Sequence, residues 1–180
     1  MDLVVIDAER REDASAIDSL IRCAFHTQPG VADMVAAIRA SPQYEADLSL
    51  VARSADQIVG FVMISHAELV STDGARRDVL TLSPLAVHPD HERRGIGSAL
   101  VRRVLAWADS RSNVPRLVTL EGSPTFYGRL GFEFAPDHGV TFDLPAWAPA
   151  EAGQVYRLRG HDPGMRGRLC YPPAFTLAER

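Results

Sequence analysis

Lysine is missing from this 180-residue chain, and all nineteen of its basic residues other than histidine are arginine. That absence removes whole reaction classes. The phosphate-binding loop of nucleotide hydrolases sets a lysine ammonium beside the β- and γ-phosphates, and Schiff-base chemistry needs a lysine amine. Cysteine is nearly as scarce. Cys23 and Cys170 are too few for a disulfide framework or a four-thiolate zinc site. Cys23 stands among Ile17, Leu20, Ile21 and Ala24 at helical spacing, which predicts a buried, inert thiol. Long apolar runs are lacking too. "MDLVVIDAERRED" holds four consecutive apolar residues before acids begin, too few for a signal-peptide core, and no stretch reaches bilayer-spanning length. A cytoplasmic protein with no membrane partner is expected.

What remains is the composition of a folded domain, 46% apolar and 23% charged. The length suits a single domain over residues 1–180, with 1–134 as its core and 135–180 as a C-terminal extension. A net charge of −4 argues against general nucleic-acid binding, which needs a basic face to neutralise phosphates. One region runs against this balance: between His91 and Arg116, six arginines face only Glu92 and Asp109. A small anion is the partner such a local excess suits.

The pattern along the chain alternates strands and helices. Leu3 to Asp7 reads as a strand and Asp13 to Phe25 as a helix with one apolar face; a second helix covers Val31 to Ala40. Leu48 to Arg53 and Gln57 to His66 form a hairpin across "SADQ", and Asp78 to Val87 is a third strand, the three expected to pair antiparallel. Ile96, Leu100, Val101, Val104, Leu105 and Ala108 make the clearest helical stripe in the sequence. A strand at 116–121, a short helix from Pro124 to Leu130 stopped by Gly131, a strand from Phe132 and another at Gln154 to Leu158 complete the pattern.

The segment "HPDHERRGIGSALVRRVLAW", residues 88–107, carries the strongest chemical signal. Gly95 and Gly97 open the striped helix directly after a strand, so the unpaired amide donors of its first turn face outward past little side chain. Such a helix mouth binds anions through its amides and dipole, and a diphosphate offers oxygens to several donors at once. The Rossmann dinucleotide reading is weakened, because its third glycine position is occupied by Leu100 and the preceding strands read as hairpins, and a nicotinamide or flavin oxidoreductase stays a distant third alternative.

These residues resemble the GNAT superfamily of acyl-coenzyme A-dependent N-acyltransferases. "LAVHPDHERRGIGSAL" is similar to its strand followed by Q/R-x-x-G-x-G/A, with Glu92 departing at the first signature position, and "SPTFYGRLGFE" is similar to its tyrosine-bearing short helix. "LSLVA", "SPLAV" and "GRLCYPPAF" resemble the YhbS-like branch. The resemblance implies an α/β single domain with a mixed, mainly antiparallel central sheet flanked by helices, the C-terminal extension completing sheet and acceptor pocket. It implies acetyl-CoA as cosubstrate, with Arg93, Arg94, Gly95, Ile96, Gly97, Ser98 and Ala99 around its diphosphate. Leu85, Ala86 and Val87 would offer a strand edge to the pantetheine arm.

The implied reaction passes an acetyl group directly to a primary amine in a ternary complex. It needs a base for the ammonium, a donor to the thioester carbonyl and an acid for the thiolate. By position in the motif Tyr127 is the acid, and an amide at or near Val87 polarises the carbonyl. Glu121 is the candidate base, or else a solvated strand-end carboxylate. Without a working base the chain would be a decayed, CoA-binding regulatory or interaction module. His88 and His91 lack the further ligands a metal site requires, so no metal is expected, and His66 is a candidate for lining the acceptor site. "EGSPTF" gives no support to serine-hydrolase chemistry. The acceptor is a small-molecule or protein amine held near Phe25 to Met34, Trp147 and Phe175, and a homodimer is the default assembly.

Overall fold

The computed structural model describes residues 3–178. The chain forms two compact units, one of Met1–Ser65, Ser83–Trp107 and Pro173–Arg180, the other of His66–Leu82 and Ala108–Pro172.

The first unit contains β1 (Val4–Ala8), α1 (Ala14–Ala24), α2 (Gly30–Arg39) and β2 (Tyr44–Ser54). Three elements continue from it into the second unit: β3 (Gln57–Val70), β4 (Arg76–Val87) and α3 (Ile96–Ser110). β2 pairs antiparallel with both β1 and β3. Strand alternation then assigns the faces. Val51, Phe61 and Met63 join Ile17, Leu20, Ile21, Val31, Met34, Val35 and Ile38 of α1 and α2 in one buried cluster. Their neighbours in sequence serve α3: Ala52 is paired with Gly60, and a side chain at Gly60 would come within 3.0 Å of Leu100 and Ile96. Glycine there lets the first turn of α3 lie directly on the sheet.

The second unit adds β5 (Leu117–Glu121), α4 (Pro124–Gly128), β6 (Glu133–Phe134), β7 (Val140–Thr141), β8 (Gly153–Arg157) and β9 (Gly167–Cys170). β4 and β5 run parallel, with Leu80 opposite Val118 and Thr81 opposite Thr119. β8 pairs antiparallel with β5 and β6, while β9 lies antiparallel to β3 and parallel to β7. The mixed, mostly antiparallel sheet with flanking helices is therefore the architecture expected from sequence.

Two expectations are corrected. Cys23 is exposed, with Sγ 4.0 Å from His88 Nε2; at 100° per residue it lies about 110° round α1 from the centre of the apolar stripe, on its shoulder. Arg116 is not part of an anion-binding surface. Its guanidinium donates to the Ala108, Asp109, Arg111 and Arg159 carbonyls and to Asp109 Oδ1, so it serves to close the C-terminal end of α3.

Candidate functional site

In the first unit, the loop after β4 is fixed by main-chain bonds. The His88 amide donates to the Val59 carbonyl at 2.9 Å, tying the end of β4 to β3. A tight turn at Pro89–His91 follows, its entry capped by His88 Nδ1, which accepts the Asp90 N–H at 3.3 Å. The Glu92 amide is spent on the Pro89 carbonyl. From there the chain enters two unusual conformations, Arg93 at φ +57° and Gly95 at φ +82°. Only glycine adopts the second without strain. No atom crowds Gly95 within 4 Å, so its glycine is required by backbone twist and not by lack of room.

The first hydrogen bond of α3 runs from the Ala99 N–H to the Gly95 carbonyl at 2.9 Å. The N–H groups of Ile96, Gly97 and Ser98 precede it and have no carbonyl one turn back to accept them. Ile96 itself is buried against the sheet while Gly95 and Arg94 are exposed, so the helix mouth is anchored on one side and open on the other. The Glu92 and Ala99 amides are both engaged by main-chain carbonyls, those of Pro89 and Gly95. Leu85 and Val87 are half-buried at the end of β4, with Ala86 turned into the α1–α2 cluster.

In the second unit, Glu121 ends β5 and Gly122 begins a turn into α4. The Ser123 hydroxyl caps α4 by accepting the Phe126 N–H at 3.4 Å, and Pro124 occupies the first turn, where its missing donor costs nothing. Tyr127 follows. Its ring meets Phe126 and Phe132 edge-on at centroid distances of 4.8 and 5.5 Å. Burial pushes its phenol up to about 12, so the hydroxyl holds its proton throughout the neutral range. A Cβ at Gly122 would stand 2.4 Å from Tyr127 Cε2, so this glycine makes the place for the ring. Sequence reasoning passed over Gly122 because its reason is a contact and not a torsion.

It passed over Tyr171 as well. This residue follows β9, and its hydroxyl donates to Glu121 Oε1 at 2.8 Å. Burial and the Glu121 carboxylate raise the phenol above its ordinary range, partly offset by the Thr81 hydroxyl. Of the residues expected to line an acceptor pocket, Phe25 and Phe175 pack on the α1–α2 cluster, but Met34 is 1% exposed and belongs to the core itself. Trp147 lies in the second unit and is 81% exposed.

A family model described as the acetyltransferase (GNAT) family matches residues 16–132, which include both the helix-mouth loop and Tyr127. This chain belongs to the GNAT family. Among solved structures, the GNAT N-acetyltransferase YhbS from Escherichia coli, in complex with CoA, is 27% identical, covering 98% of this chain and 93% of its own, with a TM-score of 0.84. A GNAT acetyltransferase from Brucella melitensis, in complex with acetyl-CoA, is 25% identical over 97% of this chain and 99% of its own, with a TM-score of 0.76. No curated protein sequence matches the chain. Among the described residues no helix is long and apolar enough to cross a membrane, and no three His, Cys, Asp or Glu side chains converge as a metal centre would require.

Proposed function

We propose that this GNAT member transfers an acetyl group from acetyl-CoA to a primary amine by direct attack in a ternary complex. The observation that carries the proposal is the open helix mouth at 95–98, where three consecutive amides are left without an intrahelical acceptor beside a glycine held at φ +82°. A diphosphate fits that donor set. The two similar proteins solved with CoA and acetyl-CoA support the choice of ligand. Leu85, Ala86 and Val87 take the pantetheine arm along the strand edge, with an amide at or near Val87 on the thioester carbonyl.

The chemistry assigns one role to each side chain. Glu121, directly or through a water, takes a proton from the ammonium, and the free amine attacks the thioester carbon. The carbon–sulfur bond breaks as the tetrahedral centre collapses, the departing thiolate takes the Tyr127 proton, and the second proton of the attacking nitrogen passes through solvent back to the phenolate, leaving an amide, the free thiol of coenzyme A and one proton on Glu121. Tyr127 is assigned the role of acid by its place in the motif, and its phenol carries a proton throughout the neutral range.

Calorimetry with acetyl-CoA, followed by a thiol-release assay with ethanolamine, spermidine, L-lysine and trialanine as acceptors, tests the proposal. Binding together with turnover of at least one amine is expected. A second reading, a CoA-binding module without catalysis, is favoured by the carboxylate of Glu92 beside the helix mouth, and it predicts binding with no turnover on any amine. No measurable binding defeats both.

A further inference from the structure

In the first unit β1 ends the sheet, pairing with β2 on one side only. The Glu9 N–H donates to the Ser49 carbonyl at 2.8 Å, one step beyond the registered pair of Ala8 and Leu50. Along an antiparallel ladder, residues that bond to the partner strand alternate with residues that do not. Val5 and Asp7 therefore bond to β2, while Val4, Ile6 and Ala8 aim their N–H and C=O groups out of the sheet. Natural edges are usually blunted by a proline, a lysine or a bulge. Val4–Ala8 reads VVIDA, keeps an unbroken register with β2 and has none of these. Large apolar side chains stand open here as well, Leu3 at 81% exposure and Val5 at 43%.

Beside that edge runs a groove of about 620 Å³ between residues 3–7 and one side of α3. Ala99, Arg102, Arg103 and Ala106 supply its helical wall at spacing i, i+3, i+4 and i+7, a single stripe. The alanines leave room and the arginines bring charge. Both arginines are exposed; Arg103 lies over the Trp107 ring at 5.7 Å, and neither has a carboxylate partner among the described residues. Register assigns the faces of β1. Ile6 is opposite Ala52, whose own partner Gly60 lies under Ile96 and Leu100 of α3, so Val4 and Ile6 share the arginines' side. Leu3, Val5 and Asp7 alternate to the other face, Asp7 opposite Val51 of the α1–α2 cluster, which turns its carboxylate away from the arginines.

We propose that the β1 edge docks an extended, acidic peptide segment of another protein, added as an antiparallel strand. The outward groups of Val4 and Ile6 repeat every two residues, about 7 Å, a spacing that another extended backbone reproduces. Partner residues opposite Val4 and Ile6 turn toward Arg102 and Arg103 and are carboxylates; those between them meet Leu3 and Val5 and are apolar. Charge chooses between this partner and a second copy of the chain. A copy of β1 would bring valine and isoleucine to the arginines, and its twofold axis would set a second Arg102 and Arg103 beside the first. Like charges so placed oppose association. The groove begins at Ala99, past the amides of the helix mouth, so the inference does not rest on the acyl-transfer reading.

Fluorescence anisotropy on the full chain tests this, with a fluorescein-labelled peptide of alternating glutamate and valine, three of each, and a counterpart with lysine in place of glutamate. The glutamate peptide is expected to bind at least about tenfold more tightly, and equally well with acetyl-CoA present. Backbone methylation decides the mode. N-methylation of the glutamates should abolish binding, because their N–H groups face Val4 and Ile6, while N-methylation of the valines should leave it nearly unchanged. Arg102→Gln with Arg103→Gln should weaken the glutamate peptide about three- to tenfold. Val4→Pro, which removes one outward donor at the first residue of an edge strand, should cost a similar factor. The Tm of each variant should match the parent's, so that lost binding is not lost fold; if Val4→Pro does not fold, the methylated peptides carry the same test on the unaltered chain. Equal binding of the two peptides, glutamate methylation without effect, or displacement by acetyl-CoA would overturn the proposal. So would a doubled mass in light scattering that Val4→Pro reverses, since the edge would then be closed by a second copy. A chain that fails to bind acetyl-CoA at all bears on the proposed function alone and leaves the peptide test standing.

Discussion

The two units contribute to the proposed reaction in different materials. The helix mouth of the first unit is made of peptide groups: Ile96, Gly97 and Ser98 offer amides, and the side chains nearby are exposed arginines and a glutamate. The second unit works through side-chain atoms, one phenol and one carboxylate, each fixed by a neighbour. A backbone site is specified by torsions and tolerates changes of side chain that keep them. A side-chain site depends on single atoms, and a displacement of about 1 Å can cost roughly a hundredfold in rate.

The largest effects should therefore come from the second unit. Tyr127→Phe is expected to reduce turnover at least tenfold, since a positioned acid contributes roughly 10²- to 10⁴-fold, while calorimetry finds acetyl-CoA affinity unchanged. Gly122→Ala should lose a similar factor without touching any reacting group, because its Cβ arrives 2.4 Å from the Tyr127 ring. The comparison breaks if Tyr127→Phe weakens acetyl-CoA binding as much as it slows the reaction.

That contrast also marks what could be read from the chain alone. The apolar stripe of α3, the hairpin and the glycine-lined helix mouth are local, and each was legible before any fold was known, whereas the torsional reason for glycine at 95 came only with the backbone. β6 and β7 are two residues long and exist only because β8 and β9 pair with them. β9 reads "GRLC", with no alternation of apolar and polar residues to announce it. Gly122 and Tyr171 matter through partners 5 and 50 residues away, at Tyr127 and Glu121. The arginine count was legible but not its use, since Arg116 spends its donors on carbonyls of its own unit.

Gly95→Ala gives the next effect in size. Holding a non-glycine residue at φ +82° costs about 1–2 kcal/mol, so acetyl-CoA affinity should fall roughly five- to thirtyfold with turnover at saturation preserved. Arg93→Gly sharpens the point. It removes a cation but relieves a residue at φ +57°, so affinity should change less than for Gly95→Ala; a larger loss would show that the arginine side chain holds the ligand.

Alkaline pH tests the buried Tyr127 phenol through stability. The Tyr127 phenol is raised from 10.0 to about 12, so the unfolded chain gives up this proton first and the folded state keeps it. The stabilising difference is fully present below pH 10 and is lost as pH rises through about 12. Denaturant midpoints should fall across that window, and less steeply in Tyr127→Phe.

The smallest effect tests Glu92. Its carboxylate is exposed and stands just before the helix mouth, where a negative charge opposes a diphosphate. Its amide is already bound to the Pro89 carbonyl, so Glu92→Gln leaves the backbone site intact and alters charge alone. A surface charge at a helix terminus is worth about 0.3–1 kcal/mol, and acetyl-CoA affinity should rise roughly two- to fivefold at low ionic strength. The gain should fade in 0.5–1 M salt, where the screening length drops to a few ångströms, about 3 Å at 1 M. A gain that persists in salt would mean that Glu92 shapes the loop and does not merely repel the ligand, and the first unit would then share the second unit's dependence on single side chains.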